Sequence, residues 1–200
     1  MKKTLILASS SPRRREILEQ AGFSFQVFPA NADETIQEKE PEEMVKQLSE
    51  RKADAAMELW KKQAGDPEDI LILGADTIVV QRKQILGKPA DRADAAAMLR
   101  RLQGTAHSVY TGVTLLWMDE TGGQKRTTFA KETEVIFYPM TEQEIRDYVE
   151  TGEGDDKAGA YAIQGLAMKY IREIRGDYHN VVGLPAAAIY QILKEYNLKL

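Results

Sequence analysis

A mixed α/β fold is what this chain predicts, and three stretches carry the expectation. An apolar run, Leu5-Ile6-Leu7-Ala8, reads as a strand that passes at once into helix-starting residues. A second run, Ile70-Leu71-Ile72-Leu73, continues through Gly74-Ala75-Asp76-Thr77-Ile78-Val79-Val80 and reads as a buried strand. Between them, residues 41–62 place Val45, Leu48, Ala55 and Leu59 at the spacing of one helix face.

The remaining elements follow in order. A strand over 4–8 leads to a helix over 12–20, closed by Gly22, and 23–28 suggests a second strand. Pro29-Ala30-Asn31-Ala32-Asp33-Glu34 is a polar loop, and Gly65-Asp66-Pro67 breaks the chain after the long helix. Gln81-Arg82-Lys83-Gln84 reads as a turn, with Ile85-Leu86-Gly87-Lys88-Pro89 after it. An alanine-rich helix over 91–103 has Asp91 at its start and Gly104 past its end. Residues 109–117 and 127–138 look like paired strands joined through Thr121-Gly122-Gly123. Thr141 and Glu144 form a capping box for a helix over 141–151 that stops at Gly152. Residues 160–163 and 168–174 are further strand candidates, and the last helix runs from 185 to 196. No repeat, low-complexity tract or long linker interrupts the pattern.

The 200 residues suffice for one domain with a real core. The net charge of −4 argues against a nucleic-acid binder that works by phosphate neutralisation. It leaves room for a small anionic ligand, which a few local cations can hold. With no cysteine, disulfides, thiol catalysis and zinc–thiolate sites are excluded. The opening residues imitate a secretory signal, but the apolar stretch is too short and runs into Pro12 and three arginines. No apolar run is long enough to span a membrane, so a cytoplasmic location is the expectation.

Two places point to chemistry. Ser11 before Pro12 is a helix-start signal, with Ser11 as N-cap. Arg13-Arg14-Arg15 then stand against the positive end of the helix dipole, which disfavours folding unless negative charge lies nearby. A bound anion held by backbone N–H groups, the Ser9 and Ser11 hydroxyls and guanidinium forks supplies it. The bland reading is that Arg15 is solvated and Arg14 pairs with a distant carboxylate. The second place is Asp76, an acid inside an apolar strand, which must neutralise, pair or meet a metal. A structural carboxylate bonded to a loop and a catalytic one match that position equally.

Neighbouring motifs weigh on the second choice. Glu34 and Asp33 could join Asp76 around a hard cation such as magnesium. Lys52 falls on the apolar stripe of the long helix, where a lysine either snorkels at the edge or reaches into a cleft. Lys88, held in a Gly-Lys-Pro loop, could meet phosphate oxygens together with Lys52. Acids that hold metal and cations that hold phosphate are the parts of phosphoryl chemistry. Walker A, dinucleotide-binding and His-Glu-x-x-His patterns are all missing. The two histidines, His107 at a strand start and His179 in a turn, read as structural or surface residues.

Five motifs stand in order: Leu7-Ala8-Ser9-Ser10-Ser11-Pro12-Arg13-Arg14, Gly74-Ala75-Asp76-Thr77, Gly87-Lys88-Pro89, the stretch from Asp156-Lys157-Ala158-Gly159 through Gln164-Gly165, and the stretch from Gly176-Asp177-Tyr178-His179 through Leu184-Pro185. Together they resemble the Maf family of nucleoside triphosphate pyrophosphatases. The resemblance implies an elongated mixed sheet flanked by helices, similar to the inosine triphosphate pyrophosphatases. It implies one Maf-like domain over 1–200, with two lobes and a central cleft. It further implies hydrolysis of a nucleoside triphosphate to monophosphate and pyrophosphate with a divalent cation, Mg2+ or Mn2+.

By the same resemblance Asp76 matches the proton acceptor, while Arg13, Thr77 and Gln164 match positions that set base preference, in the combination of the dTTP and UTP subgroup. Ser9, Ser11, Arg14, Lys52 and Lys88 would hold phosphates, and Glu34 with Asp76 the metal. A homodimer is suggested by similarity alone. The contrasting readings are a non-catalytic nucleotide sensor of the division machinery, which needs no internal acid, and a nucleic-acid-binding module, which the acidic balance disfavours.

Overall fold

The computed structural model describes residues 2–35 and 38–200. The strands are β1 (Thr4–Leu7), β2 (Phe25–Val27), β3 (Ile70–Gln81), β4 (Gln84–Leu86), β5 (Ala106–Met118), β6 (Gln124–Phe137) and β7 (Ile171–Arg175). The α-helices are α1 (Pro12–Gln20), α2 (Pro41–Gln63), α3 (Arg92–Leu102), α4 (Glu142–Glu150), α5 (Tyr178–Val182) and α6 (Ala186–Glu195). The strands form a mixed seven-stranded sheet in the order β2-β1-β3-β5-β6-β7, with β4 paired to β3 off that path. The chain divides into two compact units: the first takes residues up to Asp76, Thr111–Lys131 and Gly183–Leu200, the second Thr77–Tyr110 and Glu132–Val182. Strands β3, β5 and β6 each begin in one unit and end in the other.

In the first unit β1 runs parallel to both β2 and β3, with Thr4 opposite Ile70 and Leu7 opposite Leu73. A parallel strand covered on both faces must be apolar throughout, which is why Leu5, Ile6, Leu7 and Leu71, Ile72, Leu73 are all fully buried. Ala53, Ala56 and Met57 of α2 pack on Ile6, Ile70, Ile72 and Leu116. This buried face is rotated from the predicted stripe: Val45 and Leu48 are buried, but beyond them Ala53, Ala56 and Met57 face the core while Ala55 and Leu59 are half-buried. The reason is close backbone approach. A Cβ on Gly74 would collide with the Ser49 carbonyl oxygen and stand 2.8 Å from the Ala53 nitrogen, and one on Gly112 would collide with the Val45 carbonyl. Beside β1, Lys3 N–H donates to the Lys199 carbonyl at 2.8 Å, and Lys2 forms a parallel bridge with Lys199.

In the second unit β3 and β4 make a two-residue hairpin in which Gln81 faces Gln84. Its central residues Arg82 (φ 47°) and Lys83 (φ 65°) both take the left-handed conformation that matches strand twist. The capping box of α4 is present: Thr141 Oγ1 accepts from Glu144 N–H at 3.2 Å and Glu144 Oε2 accepts from Thr141 N–H at 2.7 Å. His107 is buried between Phe137 and Tyr161, ring centroids 5.3 and 5.4 Å away, and its Nε2 shares a hydrogen bond with the Tyr161 hydroxyl.

Four sequence expectations are corrected. Residues 160–163 are not a strand, because Gly159 (φ 73°) and Ala160 (φ 58°) are left-handed and turn the chain. Residues Leu166–Tyr170 form a 3-10 helix, and only from Ile171 does the predicted 168–174 strand begin. His179 lies in α5 rather than in a turn. Ser11 occupies the N-cap position of α1, but its side chain makes no cap hydrogen bond; its N–H donates instead to Ser9 Oγ at 3.3 Å.

Candidate active site

The acid of β3 owes its partners to the packing of α2. Side chains two residues apart on a strand share a face, so Asp76 points to the same side as Gly74. The approach of α2 at Gly74 is at Ser49 and Ala53, which brings Lys52, the residue before Ala53, onto that face. Lys52 Nζ is ion-paired with Asp76 Oδ1, and the side chains of both are only 16% exposed. Of the two readings for Lys52, the structure shows the lysine turned onto the acid rather than snorkelling.

Two more groups complete the cluster. Glu34, an exposed residue of the loop before α2, sets Oε1 2.9 Å from Lys52 Nζ. Arg14 is buried in the first turn of α1, where Nε donates to the Gly183 carbonyl at 2.9 Å and Nη1 to Ser9 Oγ at 3.1 Å. Burial pulls the Arg14 pKa below its ordinary value; the charges of Asp76 and Glu34 oppose that shift, and Arg13 adds to it. Negative charge from Asp76 and Glu34 thus acts on the arginine at the start of α1, where the helix dipole is unfavourable to a cation. Among the predicted residues of this unit, Glu34 and Asp76 are both ion-paired with Lys52, and Ser9 is hydrogen-bonded to Arg14. Ser11 and Arg13 are half-buried at the same helix start, while Arg15 is exposed.

Asp33 does not join them. Its Oδ1 accepts the Thr35 N–H at 2.9 Å and its Oδ2 lies 3.7 Å from Arg51, so the loop uses it to fix its own turn. Among the described residues, no group of three or more His, Asp or Glu side chains is gathered for a metal. The donor set that exists, Glu34 and Asp76 converging on one ammonium, still suits Mg2+. That ion takes one or two carboxylates and fills its remaining positions with water and substrate phosphate.

The second unit holds the other predicted residues. Thr77 follows Asp76 in β3 and is half-buried. Lys88 is exposed in a loop fixed by the Gly87 carbonyl, which accepts the Gly159 N–H at 3.1 Å. Gln164 is exposed in the loop between Ala162 and Leu166. Sequence reasoning assigns no role to Gly183, whose main-chain carbonyl holds Arg14, because a backbone acceptor has no side-chain signature. It also passes over Tyr148 and Glu153, which bond the Gln164 loop; the glutamate beside glycines at Gly152-Glu153-Gly154 is the available hint.

Comparison with known proteins agrees with the motifs. The family described as Maf-like protein matches residues 4–196. The dTTP/UTP pyrophosphatase of Agathobacter rectalis is 47% identical, with 96% of each chain covered. That of Pelotomaculum thermopropionicum is 48% identical, with 97% of each covered. Among solved structures, a nucleoside-triphosphatase / dITP/XTP pyrophosphatase from Mycobacterium abscessus aligns at 12% identity with a TM-score of 0.35, covering 68% of this chain and 75% of that one. Matched from end to end by the family and by relatives at this identity, the chain belongs to the Maf family.

Proposed function

We propose that this chain hydrolyses the pyrimidine nucleoside triphosphates dTTP and UTP, or modified forms of them, to the monophosphate and pyrophosphate. Support for the substrate class comes from relatives that carry that name over nearly the whole chain. The observation that supports the chemistry is the convergence of the Glu34 and Asp76 carboxylates on Lys52, with the buried Arg14 held at the start of α1.

In this reading water attacks the α-phosphorus, the bond to the bridging α–β oxygen breaks, and pyrophosphate leaves. Asp76 either takes the proton that the water loses or serves as a ligand of the divalent cation. Arg14, Lys52 and Lys88 neutralise charge that grows on the phosphates, with the Ser9 and Ser11 hydroxyls as further donors. Glu34 and Asp76 would hold Mg2+ or Mn2+, which supplies additional charge neutralisation when bound. Gln164 offers a donor and an acceptor to the imide edge of uracil or thymine, and Arg13 and Thr77 share in base preference. A site built to bond that edge rejects bases that leave its polar groups unmatched. Residues 1–200 act as one Maf-like domain with two lobes. Similarity suggests a homodimer, and the acidic balance disfavours nucleic acid as a partner; among the described residues no helix is long and apolar enough to cross a membrane.

The test is pyrophosphate release from a panel of triphosphates with and without Mg2+. Wild type is expected to favour dTTP and UTP and to stop when the cation is chelated. Asp76→Asn is expected to lose at least about 100-fold in kcat while its circular dichroism stays that of wild type. Turnover near wild type in that variant removes Asp76 from the chemistry, and a folded protein inactive on every triphosphate rules the enzyme reading out.

A further inference from the structure

The loop that carries Gln164 has no strand partner, yet side chains hold the main chain on both sides of that residue. The Ala162 N–H donates to the Tyr148 hydroxyl at 3.1 Å. That hydroxyl donates to Glu153 Oε2 at 2.8 Å, and Glu153 Oε1 accepts the Leu166 N–H at 2.9 Å. One tyrosine and one carboxylate thus tie two amides four residues apart, and each carboxylate oxygen is used.

The clamp is itself fixed in place. Tyr148 is buried in the last turn of α4, edge-on to Tyr170 with ring centroids 6.3 Å apart. The Glu153 carbonyl accepts Lys157 Nζ at 2.6 Å, and its N–H donates to Thr151 Oγ1 at 3.2 Å. Gly165 lies so close that a Cβ there would land on Glu153 Oε1. Burial, with the Glu153 charge adding to it, pushes the Tyr148 pKa up, so the phenol keeps its proton.

We propose that Tyr148 and Glu153 are positioning residues for base selection: by fixing the path of residues 162–166 they fix where the Gln164 carboxamide is presented. The inference rests on the reading of Gln164 as a base-contacting residue. A loop left free would sample several Gln164 positions, and discrimination between bases that differ only at the hydrogen-bonding edge would fall before turnover did.

The experiment compares kcat/KM for UTP and CTP, whose bases differ at that edge, in wild type, Tyr148→Phe, Glu153→Ala, Gln164→Ala and the Tyr148→Phe/Gln164→Ala double variant. The UTP to CTP ratio is expected to fall at least about tenfold in each clamp variant, since each loses two of the hydrogen bonds that fix the loop. It should fall at least as far in Gln164→Ala, and the double variant should be no worse than Gln164→Ala alone. A ratio that stays within about twofold of wild type in the clamp variants while Gln164→Ala lowers it overturns the clamp and leaves the base reading intact. An unchanged ratio in Gln164→Ala overturns the base reading, and the clamp as stated with it. Should one clamp variant fail to fold, the other carries the comparison. Amide exchange at Leu166 gives a second measure: about tenfold faster in Glu153→Ala relative to the α4 amides supports the clamp, and no change refutes it.

Discussion

His107 shows what burial does to a titratable group that has no charge partner. Burial pushes its pKa down to about 4, and among the described side chains its Nδ1 is a buried atom with no hydrogen-bond partner. The folded pKa lies below the unfolded value, so as pH falls through about 6.5 the unfolded chain takes the proton first. Stability from this residue is complete above that pH and drains away down to about 4, by roughly 3 kcal/mol. His107→Phe removes the titration: the margin of wild type over the variant in urea denaturation should shrink by about that amount between pH 7 and pH 4. A constant margin contradicts the buried, neutral imidazole. At this scale the sequence was a partial guide. Asp76 was legible because an acid in an apolar strand is costly, and Lys52 because a cation broke an apolar stripe. The destination of each was not, since both depend on which helix face meets which strand.

Elements bounded by local chemistry were readable to within a residue, and those bounded by tertiary context were not. Pro12 and Gly22 frame α1, and Thr141 with Glu144 frames α4, because caps and left-handed glycines act within one turn. Residues 160–163 look like a strand by composition, but Ala160 is held left-handed by its packing: its carbonyl sits where a Cβ on Gly154 would be. Helix α5, five residues long, is too short to leave a periodic signal. The most consequential element contact is α2 on β3. Gly74→Ala places a methyl against main-chain atoms of Ser49 and Ala53 that have no rotamer by which to yield. The variant should lose about 3 kcal/mol in chemical denaturation. Its kcat/KM, assayed where it remains folded, should fall as well, because the helix that moves is the one that carries Lys52. Full activity at reduced stability would separate the helix approach from the site.

At the scale of the molecule, the order of strands was outside what one sequence can tell. Local pattern gives strands but not neighbours, and β3, β5 and β6 each serve both compact units, so neither unit is a continuous length of chain. Fold class was accessible because parallel β1 and β3 must be apolar on both faces; pairing was not. The bridge between Lys2 and Lys199 has its own implication for engineering. A few flexible residues joining those neighbours would let the polypeptide be opened elsewhere, and the exposed hairpin tip at Gly122 is a suitable point. Such a circular permutant should melt within about 10 °C of the parent and keep its turnover. The nucleotide chemistry of this chain would then be independent of the order in which a ribosome delivers its parts.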